Sequence, residues 1–329
     1  MAAGVAIALL REASSVFAPL ALAIFIIALV SPLQAALKAR MPGLAATLLT
    51  VVATIAVCGA FTWLVAWGFG RVGVALVADA ARLQAVYDQA VAWLEGQGLS
   101  VTGFFSEHFS VRWFIGAAQQ VTGRVNTALG FWLITFVYVI IGLIELDDAA
   151  ARARRLPEPA ASVLVEGSRS MAAKFRRYMV VRTQMSLITG LLVALFTWAI
   201  GLPFAAEWGV IAFTLNYIPF LGPFIATMFP TVIATIQFDT WQAVILTFVM
   251  LNAIQFVVGS WLEPLVSGNA LSISPTLVLF AVFFWTWMWG LFGTFIGVPI
   301  TIAALSFCAA NPASRWISDV LGGGRTSET

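Results

Sequence analysis

Histidine, cysteine and charge are what this sequence has least of. One histidine (His108) and two cysteines (Cys58, Cys308) in 329 residues leave little material for a metal centre or a disulfide scaffold. Both cysteines sit alone in apolar runs, where a thiol behaves as a small hydrophobe. Charged residues make up 10% of the chain, against about 25% in soluble domains, too few to coat a water-facing surface. A formal net charge of +2 and the lack of a basic–aromatic pattern argue against nucleic acid as a partner. No GxxxxGK[ST] loop, GxGxxG turn or GxSxG elbow occurs, so nucleotide-driven pumping by this chain lacks its phosphate cradle. What is abundant is hydrocarbon: 61% hydrophobic residues and a mean hydropathy of +0.97. The composition is that of a multi-pass protein embedded in the lipid bilayer.

A spanning helix needs about 20 mostly apolar residues. Five runs qualify cleanly: 16–37, 44–69, 126–144, 183–201 and 241–262. The opening MAAGVAIALL is too short to span before Arg11 and Glu12; it reads as a short helix folded against 16–37 rather than as a signal peptide. Two longer apolar stretches are broken, 209–237 by Pro219, Gly222, Pro223 and Pro230, and 275–308 by Gly290, Gly293, Gly297 and Pro299. Broken backbone at membrane depth survives only inside protein or beside a wet cavity. The expected fold is therefore all-α, a polytopic helical bundle with two broken or re-entrant hairpins in its C-terminal half.

Eight basic residues in 145–182, with Lys38 and Arg40, mark the cytoplasmic loops. That places 70–125 outside, as amphipathic extracytoplasmic helices: Leu76, Ala80, Leu83, Tyr87, Val91 and Leu94 recur at helical spacing, and Phe104, Phe105, Phe109, Trp113 and Phe114 follow. The same layout puts Trp63, Trp67, Trp132, Trp198, Trp208 and Trp241 in an outer aromatic belt, with Trp285, Trp287 and Trp289 at the tip of the second hairpin. The expected organisation is membrane helices in 1–69, the outer segment 70–125, a membrane helix plus basic cytoplasmic helix in 126–182, a transport core in 183–310 and a cytoplasmic tail in 311–329.

From Thr183 to Ser314 there is no lysine or arginine, and Glu207, Asp239 and Glu263 are the only acids. Asn216, Gln237, Asn252, Gln255 and Asn269 are scattered through the same stretch. Such groups line a polar path or bind helices together. Residues 183–239 and 241–308 each read as a span followed by a broken segment, with Gly222-Pro-Phe-Ile in one and Gly293-Thr-Phe-Ile in the other. The pattern is either coincidence or an inverted repeat of the kind that places a substrate near the midplane.

RRYMVVRTQMSLITG (176–190), LNYIPFLGP (215–223), EP…SGNALSISP (263–275) and WMWGLFGTFIGVP (287–299) together resemble the autoinducer-2 exporter-like permease family, across about 170–310. The resemblance implies a bacterial inner-membrane permease with about eight hydrophobic segments, assembled as a homo-oligomer. Members are associated with export of autoinducer-2 or other small solutes, and some with sodium–proton exchange. The motif positions carried over are Asn216, Pro219, Gly222, Pro223, Glu263, Pro264, Gly268 and Pro275. Where the family commonly has a basic residue after Glu-Pro, this chain has Leu265.

The expected function is secondary transport of a small polar solute or ion. Glu263 is the candidate coupling group, unless it is an interfacial carboxylate capping nearby chain. Asn216, Asn252 and Gln255 are candidate ligands, and the breaks at Pro219, Gly222 and Pro223 and at Gly290, Gly293 and Pro299 would offer free backbone groups. No metal or organic cofactor is expected beyond a proton or sodium ion. The alternative is a passive oligomeric channel or membrane scaffold. An intramembrane enzyme is disfavoured because no Ser/His pair, no paired membrane aspartates and no zinc ligand set are present.

Overall fold

The structure, a computed structural model, describes residues 2–96, 125–238, 240–267 and 273–322. Tyr87 and Leu94 lie on a described helix, but their side chains are outside the described set. So are the aromatic stretch Phe104–Phe114 with His108, and Asp239, Gly268 and Asn269.

The regular elements among the described residues are helices: α1 (Ala2–Glu12), α2 (Ser14–Lys38), α3 (Gly43–Ala78), α4 (Ala80–Gly96), α5 (Val125–Ala153) and α6 (Ala160–Ala199). They continue with α7 (Ala205–Leu215), α8 (Leu221–Gln237), α9 (Trp241–Phe256), a π-helical turn (Val257–Leu262), α10 (Glu263–Ser267), α11 (Pro275–Ala310) and α12 (Arg315–Leu321). Six stretches are long and apolar enough to cross a bilayer: Ser14–Lys38, Gly43–Ala78, Leu129–Ala153, Ala160–Ala199, Trp241–Val266 and Pro275–Ala310, the last reaching that length only with the two arms on either side of a bend at Trp289–Gly290 taken together. Their outward faces stay greasy; Leu44, Leu129, Leu187 and Ile245 are all at least 60% exposed. Water would not tolerate so much exposed apolar surface on these helices, whereas lipid is its natural solvent. The protein is an all-α, multi-pass membrane protein.

Two details differ from the sequence expectation. The basic stretch 160–182 and the span 183–201 form one rod, α6, because no proline or residue with left-handed backbone separates them. Trp208 is no belt residue: it is 1% exposed and its Nε1 donates to the Pro203 carbonyl at 2.9 Å.

The chain divides into two compact units. One comprises Met1–Gly59, Ala128–Thr183 and Pro264–Thr329; the other comprises Ala60–Thr127 and Gln184–Glu263. In the first unit Ala23, Val51, Val139 and Leu143 form a buried cluster. A Cβ on Gly142 would press on the Ile27 Cδ1 methyl, the movable end of that side chain. Gln34, 1% exposed, satisfies its amide on Thr47 Oγ1 (2.9 Å) and the Leu143 carbonyl (3.1 Å). α1 packs on α2 and also on α11, where Trp289 Nε1 donates to the Leu10 carbonyl at 3.1 Å and Arg11 lies over the Trp287 ring.

The second unit is built on the later part of α6. That helix ends at a left-handed Gly201 (φ 74°), with Leu202 N–H bonded to Thr197 O and Gly201 N–H to Trp198 O, the paired bonds of a glycine-terminated helix. The chain then reverses into α7. α7 lies close on α6 because Gly190 and Gly209 face each other; a Cβ on Gly190 would stand 2.7 Å from the Gly209 carbonyl oxygen.

Candidate functional site

The region from α7 to α8 is a helical hairpin whose reach is limited by its length. The 11 residues of α7 extend about 16 Å, roughly half of a hydrocarbon core. α7 runs antiparallel to α3: Glu207 meets Arg71, Val210 meets Gly68, and Phe213 and Tyr217 meet Phe61. Phe61 is the nineteenth of the 36 residues of α3, so the hairpin turns back near the middle of that helix. Its two arms close because Gly222 abuts the Leu215 carbonyl, where any Cβ would overlap the oxygen.

The turn itself is tight. Asn216 N–H bonds to Ala212 O, Tyr217 to Thr214 O, Ile218 to Leu215 O, Leu221 to Pro219 O and Gly222 to Ile218 O. The Pro219–Leu221 bond closes a three-residue turn centred on Phe220 (φ 65°, ψ −55°), a conformation that costs a non-glycine residue strain. Phe220 is nevertheless 53% exposed. The expected supply of open backbone amides at this break is thus corrected, since the turn consumes most of its own donors. Pro223 falls in the first turn of α8, where a proline costs no intrahelical bond.

Side chains supply the polarity instead. Asn216, 6% exposed, donates from Nδ2 to Ser186 Oγ of α6 at 3.2 Å. Thr189, one turn further along α6 and fully buried, has an Oγ1 with no hydrogen-bond partner among the described residues. At the open end of the hairpin Glu207, 4% exposed, pairs with Arg71 at 2.6 Å, and Arg71 also stands over Trp67. Sequence reasoning passed over Glu207 and Arg71. The available signal was an acid at the head of an apolar helix and an arginine two residues beyond the end of a span.

α11 contains a second hairpin. Trp289 (φ −130°, ψ 17°) and Gly290 (φ 61°, ψ −140°) are non-helical, and the chain folds back between them. Here Gly293 abuts the Trp285 carbonyl, again with no space for a Cβ, and Gly297 lies against Ala281 and Trp285. Thr286 and Thr294 join hydroxyls across the arms at 2.7 Å, and Thr294 Oγ1 also donates to Gly290 O. Only Gly290 of the three expected break residues lies in the bend. Gly293 is a contact point on the second arm, and Pro299 is buried inside a helix that continues to Ala310, a correction to its expected role as a breaker.

The remaining candidates lie along α9 and the turn after it. Asn252 is exposed and returns its Nδ2 to the Phe248 carbonyl at 2.8 Å. Gln255 is half-buried, and its Nε2 has no hydrogen-bond partner among the described residues. Glu263 is half-buried at the first position of α10, directly after the π-helical turn. Among the described residues no three His, Cys, Asp or Glu side chains gather as a metal site.

Residues 1–312 match the family model described as AI-2E family transporter. The chain is 35% identical over 125 residues to "AI-2 transport protein TqsA" of Escherichia coli strain K12, covering 38% of this chain and 36% of that one. It is also 35% identical over 127 residues to a Borreliella burgdorferi protein (38% and 35% of the two chains). A third relative, YhhT of Escherichia coli strain K12, is 31% identical over 148 residues (45% and 42%). The last two are named "Putative transport protein". These alignments span about a third to two fifths of the length of the curated relatives.

Proposed function

This chain belongs to the AI-2E family of transporters, a family of carriers rather than enzymes, and from that premise we propose that it is a secondary transporter of a small polar solute. A signalling molecule of the autoinducer-2 type is the leading candidate, because one relative carries that substrate in its name. The reading rests on one observation above the others. A hairpin turns back beside Phe61, inside the apolar run 44–69 of α3, with Asn216, Ser186 and Thr189 buried along its contact with α6. Buried polar groups at such depth are costly unless they serve a path or a partner.

In this reading Asn216, Ser186 and Thr189 hold the solute's hydroxyls. Gln255 contributes its open amide, and Glu263 carries the coupling proton or sodium ion. The proposed setting is the bacterial inner membrane. The proposed assembly is a homo-oligomer, supported by Asn252, a polar side chain exposed on an otherwise apolar face of α9 beside Phe248, Val249 and Phe256.

The test is flux of autoinducer-2 through purified full-length protein in liposomes, with and without an imposed proton or sodium gradient. Gradient-driven flux that falls severalfold in Asn216→Ala and Glu263→Gln supports the reading. Unchanged flux in Glu263→Gln removes that residue as the coupling group. Flux indifferent to any gradient favours a passive channel.

A further inference from the structure

The second unit holds a cavity of about 350 Å³ at the corner where α4 meets the end of α8 and the start of α9. Arg82, Val86 and Gln89 of α4 form one wall; Thr235, Thr240 and Trp241 form much of the other. We infer that this cavity binds a phosphate-bearing group, the headgroup of an anionic phospholipid.

Charge supplies the first argument. No lysine or arginine occurs from Thr183 to Ser314, so α8 and α9 bring no cation of their own, and among the described residues α4 delivers the only one in the lining. Arg82 makes no ion pair among the described residues. The nearby acids leave it unmatched among the described residues: Asp88 of α4 accepts from Gln84 Nε2 at 2.9 Å, and neither Glu95 of α4 nor Asp79, just before that helix, makes an ion pair with it. Asp239 lies between Phe238 and Thr240 in sequence and is outside the described residues. A guanidinium presents a planar fork of donors that fits phosphate oxygens.

The other groups suit the same ligand. Gln89 can donate an amide hydrogen, and the Thr240 side chain does not cap α9. Trp241 is 58% exposed at the first position of a span, where an indole settles at headgroup level. The volume lies at the small end of ligand cavities, suited to a glycerophosphate head rather than a large solute. Acyl chains would then run down the exposed apolar face of α9, past Ile245 and Phe248. The inference stands apart from the identity of any transported solute.

Native mass spectrometry of the full-length protein, titrated with short-chain phosphatidylglycerol, phosphatidylcholine or glycerol 3-phosphate, tests it. Arg82 is exposed, so Arg82→Gln leaves the fold intact, which a melting curve verifies. Phosphatidylglycerol is expected to bind wild-type protein in preference to phosphatidylcholine, and about tenfold more weakly in Arg82→Gln. Arg40→Gln, in the short turn after α2, is expected to leave that affinity unchanged. Equal Arg82-dependent binding of glycerol 3-phosphate would retain the cavity as a phosphate site and transfer it from lipid to a free solute. Phosphatidylglycerol binding that is the same in wild type and Arg82→Gln overturns the inference.

Discussion

The two hairpins solve the same closure problem and then diverge. Each presses a glycine against a carbonyl of its opposite arm, Gly222 on Leu215 and Gly293 on Trp285. Beyond that crossing they differ in reach. The first arm of the α7–α8 hairpin has 11 residues and turns beside the midpoint of α3. The first arm of the α11 hairpin, Pro275–Met288, extends about 21 Å at helical rise, and its tip meets Leu10 and Arg11, just before the start of α2. They differ in tip chemistry too. One bends through Asn216–Phe220 with a strained phenylalanine; the other bends through Trp289 and a glycine that takes positive φ without strain. A short, strained tip beside buried polar groups is the expected form of a working element, and a long, aromatic, unstrained tip is that of a support.

The glycine crossings are the sharpest place to test the shared part. Gly222→Ala and Gly293→Ala should each destabilise the protein by about 3 kcal/mol, because the clash is with backbone and no side chain can move aside. Thermal unfolding in detergent measures both; a tolerated Gly222→Ala would mean that only the α11 hairpin is tightly closed. Next in size, Arg71→Ala should cost about 2 kcal/mol by leaving the Glu207 carboxylate buried and unpaired. That is below the figure for a fully buried pair because Arg71 is half exposed and screened. Glu207→Gln should cost less, and a reversed order would remove the pair as an anchor of the first hairpin.

The tips should respond with opposite signs. Gly290→Ala is expected to cost about 1–2 kcal/mol, since alanine at positive φ is strained, while Phe220→Gly should gain up to about 1 kcal/mol by relieving strain. Equal losses at both would erase the distinction between a strained and an unstrained bend. The smallest effect should come from Ser186→Ala, about 1 kcal/mol for the lost acceptor of Asn216, with a larger consequence for flux than for melting.

The sequence made the membrane class and the two interrupted segments legible because composition and proline–glycine spacing report them directly. It could not say what each interruption does. Pro230 and Pro299 look like breakers in a linear reading, yet both lie inside helices, since one missing amide is tolerable when the ring is buried among neighbours. Gly293 resembles Gly222 in local sequence and also in its crossing, but the bend it serves is three residues earlier, at Gly290. Asn216 was readable as a polar residue at a break. Its partner Ser186 was not, because a lone serine in an apolar helix has no periodic signature until α7 is folded against it. Glu207 and Arg71 stayed hidden for the same reason: 136 positions separate them in the chain, and only the antiparallel packing of α3 and α7 joins them.

The most direct measurement is the membrane depth of the two tips. Spin labels at Phe220 and Trp287, both 53% exposed, in a background with Cys58 and Cys308 replaced, report depth through collisions with oxygen and with a water-soluble nickel chelate. Position 220 should lie near the bilayer centre yet remain open to the chelate, with position 287 close to an aqueous face. If both labels report the same depth, or if position 220 lies at the surface, the first hairpin does not end at mid-membrane and the proposed solute path has no floor.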